Sequence, residues 1–235
     1  MTAFQHSPDL WRDFPELVPG VLTARGVTAD APVADRLLPY TETAAKRLAT
    51  AGTESELPEI QAWRRAFARM GLKPTQYRCA SESLLRRLRK EGALPGLHPL
   101  IDLCNAVSVG YAIPVAVFDL SRIAGDLEVR RATGEETYLT FGGETEHPAP
   151  GEVIFADAEG RAHARRWTNR QSGLSAVRPG TTDVLIVAEA LHDTARADID
   201  ALLAALTADL AALWPGAPST PSVLTPSAPR FTVTA

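Results

Sequence analysis

The apolar residues of this chain change period at Pro114, and that change limits the fold more than any other feature. Upstream they recur at helical spacing: Ile60, Trp63, Phe67 and Met70, then Ala80, Leu84, Leu85 and Leu88, then Leu100, Leu103, Cys104 and Val107. A stripe at i, i+3, i+4 and i+7 is the core-facing pattern of an amphipathic helix. Helices are therefore predicted from the capping-box sequence Thr53-Glu54-Ser55-Glu56 to Gly71, from Tyr77 to Glu91, and from Pro99 to Gly110. Beyond Pro114, short strand-like runs separated by Gly and Asp turns take over: 115–118, 127–131, 137–141, 152–157, 162–166 and 184–189. The segment Val184-Leu185-Ile186-Val187 is apolar at every position, as in a strand covered on both faces. Ile199, Leu202, Leu203, Leu206, Leu210 and Leu213 predict a last helix over 194–214. Helices, then strands, then a helix predict an α+β fold, with helices packed on a mixed or mostly antiparallel sheet.

The flanks are harder to read. Val18 to Val27 could be a strand and Thr41 to Ala49 has helical composition, with Pro32 and Pro39 expected to break the stretch. Residues 1–53 are assigned to the same domain as 54–214, and the Pro-, Ser- and Thr-rich residues 215–235 are expected to form a mobile tail.

A hydrophobic fraction of 45% in 235 residues supports a sizeable core. The net charge of −4 means that any RNA contact must come from a local basic patch. Cys79 and Cys104 are expected to be reduced and buried. The N-terminal segment lacks a basic start followed by an apolar stretch, and no apolar run approaches the roughly 18–20 residues of a membrane span. A cytoplasmic protein is expected by elimination. Phosphate-loop, dinucleotide, zinc-protease and paired C-x-x-C signatures are missing, so no cofactor or metal is expected. His98, Asp102 and Cys104 suggest a thiol triad, but Cys104 belongs to the apolar stripe. His98 is instead expected to make a local hydrogen bond at the helix start.

Arg78, Arg86, Arg87, Arg89 and Lys90 crowd one helix, with only Glu82 and Glu91 among them. A solvated face explains this pattern, and so does a phosphate-tracking surface shared with Arg161, Arg165, Arg166 and Arg170. Trp167, between Arg166 and Arg170, is open to two readings: a stacking platform for an unpaired base, or core filler.

One spaced pattern is more specific. Asp102-Leu103-Cys104-Asn105, Pro114 and Phe118-Asp119-Leu120 form D-x-x-N-x8-P-x3-F-D-L. This resembles the B3/4 domain of the bacterial phenylalanyl-tRNA synthetase beta subunit, the module that hydrolyses wrongly charged tRNA. Ser175-x-Val177-x3-Thr181-x2-Val184-Leu185 resembles the stretch that closes that domain, and Ile154-Phe155-Ala156-Asp157 its I-A-D segment. The run Lys73 to Ala80 is similar to free-standing B3/4 proteins. The rest of the chain has no room for a synthetase catalytic domain. The resemblance thus implies a free-standing trans-editing factor acting on aminoacylated tRNA, with the amino acid in a pocket. The alternative is a non-catalytic tRNA- or amino-acid-binding module.

Carried over position by position, the family Asn falls on Asn105, which the resemblance implies would meet the aminoacyl end. The family His is matched by Ala116, its Gly-Gly pair by Gln171-Ser172, and its closing Glu by Val187, with Glu189 two residues later. Deacylation needs a positioned water and oxyanion stabilisation. Asn105, Ser108, Asn169 and Ser172 are the candidates to orient water or ester, and Glu136 or Glu189 to take the proton. Arg78, Arg86, Arg87, Arg166, Trp167 and Arg170 are the candidates to grip tRNA.

Overall fold

The computed structural model describes residues 3–218 and 220–233. In chain order the first elements are β1 (Ala3–His6), α1 (Pro8–Asp13), β2 (Val18–Ala24), α2 (Ala34–Ala51), α3 (Pro58–Arg69), α4 (Ala80–Glu91) and α5 (Pro99–Tyr111). Seven strands follow: β3 (Val115–Asp119), β4 (Leu127–Arg131), β5 (Tyr138–Leu139), β6 (Thr145–Glu146), β7 (Val153–Asp157), β8 (Ala162–Arg165) and β9 (Arg170–Gln171). The chain closes with β10 (Val184–Ala190), α6 (Ala195–Leu213), β11 (Ser222–Val223) and β12 (Arg230–Thr232).

The strands form two sheets and a hairpin. One sheet runs β12-β1-β4-β7-β8-β9, parallel only at β1–β4, and the other runs β11-β2-β10-β3, antiparallel throughout. The hairpin is β5–β6. This is the α+β, mixed-sheet class the period change predicts, with the strands divided between two sheets.

Strand β10 explains why its apolar run does not alternate. Leu185 and Val187 face a core that includes Phe4, Phe14, Trp63, Phe118, Phe155 and Trp167. Val184, Ile186 and Ala188 face a second core, made with the apolar stripes of α5 and α6. Both faces are covered, so every residue of β10 is buried. Gly20 on β2 permits the close approach of α6: a Cβ there would stand 2.7 Å from Ile199 Cγ2.

Three sequence expectations are corrected. Pro39 does not break the helix but lies inside α2. It removes a single backbone bond, to the carbonyl of Asp35, which packing of α2 on α5 offsets. The capping box is not formed. Thr53 Oγ1 bonds Ser55 Oγ at 2.9 Å, Glu54–Glu56 makes one 3₁₀ turn, and Pro58 opens α3. Nor is the C-terminal stretch simply a mobile tail, for β11 pairs with β2 and β12 with β1, covering an edge of each sheet. Leu224 between them is buried. No helix among the described residues is long and apolar enough to cross a membrane.

Candidate functional site

Strands β3 and β10 carry Ala116 and Val187 directly opposite each other in register. Beside this pair opens a small pocket of about 70 Å³, walled mainly by Pro114, Ala116, Phe118, Phe155 and Val187, with Asn169, Arg170 and Gln171 at its polar side. Glu189, two residues beyond Val187 and so on the same strand face, also lines it. Its Oε1 accepts from His6 Nε2 at 2.7 Å and from Trp167 Nε1 at 2.9 Å. A carboxylate only accepts, so His6 carries its hydrogen on Nε2, and its buried Nδ1 is left without a partner among the described residues. Glu189 Oε2 accepts from no described residue and is the oxygen left for the pocket.

The indole that helps to hold Glu189 comes from a strained turn. Between β8 and β9, Arg166 and Trp167 both adopt left-handed backbone, with φ of 47° and 59°. Such geometry costs on the order of 1–3 kcal/mol per non-glycine residue. It drives Trp167 inward, edge-on to Phe14 at 4.9 Å and Trp63 at 5.1 Å. Trp63 in turn donates to the Glu189 carbonyl at 3.2 Å.

A second, wider groove of about 600 Å³ lies beside the first pocket, lined by Leu97, His98, Ile101, Asn105, Phe141 and Val177 among others. Gln171 lines both cavities, and its Nε2 donates to the Val117 carbonyl at 2.6 Å. The side chain is thereby held as a partition, with Glu189 on one side and Asn105 on the other.

The structure brings together only part of the expected site. Glu189 and Asn169 line the pocket, the latter with its amide donating to the Arg78 carbonyl at 2.7 Å. Asn105 lies across the Gln171 partition and makes no side-chain hydrogen bond among the described residues. The other three candidates lie in neither cavity and are corrected to structural roles. Ser108 Oγ donates to the Ile113 carbonyl at 2.7 Å, fastening the end of α5. Buried Ser172 donates to the Leu139 carbonyl at 2.8 Å. Glu136 folds the turn ahead of β5. Burial opposes its charge, but Arg130 and the N–H groups of Thr133 and Gly134 prevail and lower its pKa to about 2.

Trp167 is fully buried, so its indole cannot stack on a base, and the core-filler reading holds. The arginines on and beside α4 pair with acids that the helix itself does not supply in full. Arg86 and Arg89 pair with Glu54 at 3.5 and 2.8 Å, Arg87 with Glu91 at 2.8 Å, and Arg78 stands 3.6 Å from Glu82. Arg170 pairs with Glu146 at 2.9 Å. The backbone N–H of Arg166 donates to Glu152 Oε1 at 3.1 Å, while its guanidinium makes no ion pair among the described residues and lies 4.8 Å from the Tyr77 ring centroid.

Sequence reasoning missed a Ser-His-Asp relay: Ser175 Oγ lies 2.8 Å from His163 Nδ1, and His163 Nε2 lies 3.1 Å from Asp157 Oδ2. All three side chains are buried and line neither cavity, so a substrate cannot reach the hydroxyl. Burial again opposes the charge of Asp157, but His163 and Arg161 hold its carboxyl far below the usual range. The relay joins the Ile154–Asp157 segment to Ser175. Likewise Thr181 Oγ1 donates to Asp119 Oδ2 at 2.6 Å, and Asp102 Oδ1 accepts from Leu97 N at 2.9 Å. The polar residues of the spaced motifs are largely fasteners.

Among the described residues, Glu59, His192 and Asp198 offer one ligand atom each within 4.8 Å of one another. Glu59 and Asp198 sit in the first turns of α3 and α6, where helix dipoles favour anions, and Arg47 donates to Glu59 at 2.5 Å. Positive potential already fills the place a cation would take. The cysteines are free, and burial pushes both thiols up to about 12, away from nucleophilic chemistry. His98 makes the expected local bond, its Nδ1 accepting from Leu100 N at 3.2 Å.

The chain belongs to the B3/4 domain family, whose model matches residues 62–202. Among curated proteins it is 35% identical to the phenylalanine–tRNA ligase beta subunit of Shewanella oneidensis over 101 residues, 43% of this chain and 12% of that protein. It is 36% identical to the same subunit of Bradyrhizobium diazoefficiens over 106 residues, 45% of this chain and 13% of that protein. The chain thus matches about an eighth of the length of these relatives. An N-terminal fragment of the phenylalanyl-tRNA synthetase beta subunit from Pyrococcus horikoshii superposes with a TM-score of 0.47 and 10% identity, over 89% of this chain and 48% of the fragment.

Proposed function

We propose that this chain hydrolyses the aminoacyl ester of misacylated tRNA, in the cytoplasm where charged tRNA circulates. The observation that carries the reading is Glu189, a carboxyl group held at one oxygen and open at the other, in an otherwise largely apolar pocket of a B3/4 domain. A water accepted by Glu189 Oε2 attacks the ester carbonyl. Its proton passes to the carboxylate and then to the departing ribose oxygen, giving free amino acid and uncharged tRNA. The apolar walls suit a small apolar side chain on the amino acid. Asn169 flanks the ester, and Arg166 meets the phosphate backbone, assisted by Arg78, Arg86, Arg87 and Arg170 where their ion pairs can open. Incubation with a panel of matched and mismatched charged tRNAs tests this: ester loss above the spontaneous rate on a mischarged species supports it, and none across the panel refutes it.

The in-register pair Ala116 and Val187 favours a second reading. The resemblance puts a His and a Glu at these positions, and two apolar side chains cannot move protons. A chain that binds charged tRNA and leaves the ester intact would be a recognition module.

A further inference from the structure

The shorter of the two bonds that hold Glu189 comes from His6 on β1, far upstream of residues 62–202. Both side chains of the pair are buried, at 0% and 2% exposure. The imidazole is also held from its flanks, edge-on to Phe4 at 5.3 Å and to Trp11 at 5.4 Å. The charges on the surrounding elements are spent elsewhere. On β4, Val129 stands opposite His6 in register, Arg131 pairs with Asp13 at 2.7 Å, and Glu128 accepts from Gln5 at 3.0 Å. On α1, Arg12 pairs with Asp9 at 2.6 Å, and on β12, Arg230 pairs with Asp126 at 2.9 Å. Trp63 and Trp167 bring only uncharged rings. Glu189 is thus the one carboxylate in contact with the His6 ring among the described residues.

The far side of the same ring is what gives this pair a second state. His6 Nδ1 is buried and bonds to nothing among the described residues, so its lone pair is free to take a proton. That proton would leave the Nε2–H bond in place, yet turn a neutral donor into a cation 2.7 Å from the carboxylate. An opposite charge so close favours the ionised carboxylate, and Glu189 would then take a proton from water less readily. We infer that His6 is a positioning residue that governs the basicity of Glu189. When neutral, His6 clamps Oε1 and leaves Oε2 a competent base. When protonated on Nδ1, it keeps the same clamp and removes the basicity. The inference rests on the hydrolytic reading above and deepens it, by assigning the acid sensitivity of the reaction to a ring that never meets the ester. Through the reaction itself His6 neither gains nor loses a proton: the one taken from water goes to Oε2 and on to the ribose oxygen.

The test uses the full chain and His6→Gln, whose amide can still donate to Oε1 but takes up no proton. Single-turnover ester loss is followed between about pH 5 and 8, the range in which an imidazole changes charge, on a mischarged tRNA that the parent deacylates. The parent rate should fall on acidification, and in His6→Gln the fall should move toward acid by about one pH unit or more. A purely structural role would scale the whole profile without displacing it. The second readout needs no ester: the chain is labelled with carbon-13 and nitrogen-15 histidine, and the ring signals are followed by NMR against pH. The His6 signal, identified by its absence from His6→Gln, should stay protonated to higher pH in the parent than in Glu189→Gln. Its neutral form should carry the hydrogen on Nε2. An undisplaced rate profile in His6→Gln would overturn the inference. So would a His6 ring that titrates alike in the parent and in Glu189→Gln, or a neutral ring protonated on Nδ1. A parent that deacylates no tRNA sinks the hydrolytic reading alone, and the ring titration still decides whether His6 and Glu189 are coupled.

Discussion

Replacing Glu189 with Leu should destabilise the protein far more than replacing it with Gln. The Glu189 Oε1 atom is the acceptor for two buried donors, His6 Nε2–H and Trp167 Nε1–H. Leu is of similar size but accepts nothing, and both donors would be left unmatched. Each orphaned buried donor costs about 1–3 kcal/mol, so Glu189→Leu should lose about 2–6 kcal/mol. Gln keeps a carbonyl oxygen that can occupy the Oε1 position and accept both bonds, with its amide nitrogen toward the pocket. Its loss should stay below about 1 kcal/mol, the difference between charge-assisted and neutral hydrogen bonds. For a chain of this length each kcal/mol moves the melting point by about 2–4 °C, so the Leu variant should melt at least about 4 °C lower. Urea titration followed by tryptophan fluorescence measures the difference, with Trp63 and Trp167 as reporters beside the altered group. A Leu variant within 1 kcal/mol of the parent would show that the carboxyl is not what holds the indole and imidazole. A Gln variant as unstable as Leu would show that charge, rather than acceptor geometry, is what matters.

Three further outcomes follow from the same structure. Gly173→Ala would bring a Cβ within 2.8 Å of the Thr140 carbonyl oxygen and 3.3 Å of Phe141 Cα, backbone that cannot rotate aside. It should cost about 1–3 kcal/mol in urea titration. The folded Glu136 carboxyl titrates at about 2 against an ordinary 4.5, because Arg130 and two backbone N–H groups outweigh its burial. The unfolded chain therefore takes up that proton first. The stability this group contributes is complete above about 4.5 and disappears as pH falls toward 2, and Glu136→Gln should flatten that part of the melting-temperature profile. Cys79 and Cys104 should resist a disulfide reagent in the native protein and react only on addition of denaturant, since both thiols are buried and their pKa is raised to about 12. Reaction of either at the free-thiol rate would contradict the packing described.

Periodicity carried the interior well because burial follows it. The stripe on α5 and the unbroken apolar run of β10 lie in the cores they imply. Punctuation was less reliable where packing overrides it. Pro39 is tolerated because α2 packs along α5, and the Pro- and Ser-rich end is ordered where two-residue and three-residue strands find open sheet edges. Among the candidate residues, Glu189 and Asn105 each line a cavity, and their places follow from strand alternation and helix phase. His6 was not, for a four-residue N-terminal strand carries too little pattern to show that its last residue meets one 183 positions later. Nor could Trp167 be assigned from sequence. Two left-handed residues in a row, unmarked by glycine, decide that it turns inward. Arg86, Arg87 and Arg89 looked unbalanced because Glu54, which takes two of them, lies on a different element.

The most direct measurement is the rate of ester loss from a panel of mischarged tRNAs under single-turnover conditions, with the parent chain and Glu189→Gln side by side. The account predicts that the parent accelerates deacylation of at least one species. The Gln variant, folded and still binding that tRNA, should fall to near the spontaneous rate. Equal rates for parent and variant would remove Glu189 from the chemistry. An ester that survives every incubation with the parent, while tRNA remains bound, would contradict hydrolysis itself and leave a recognition module on a B3/4 fold.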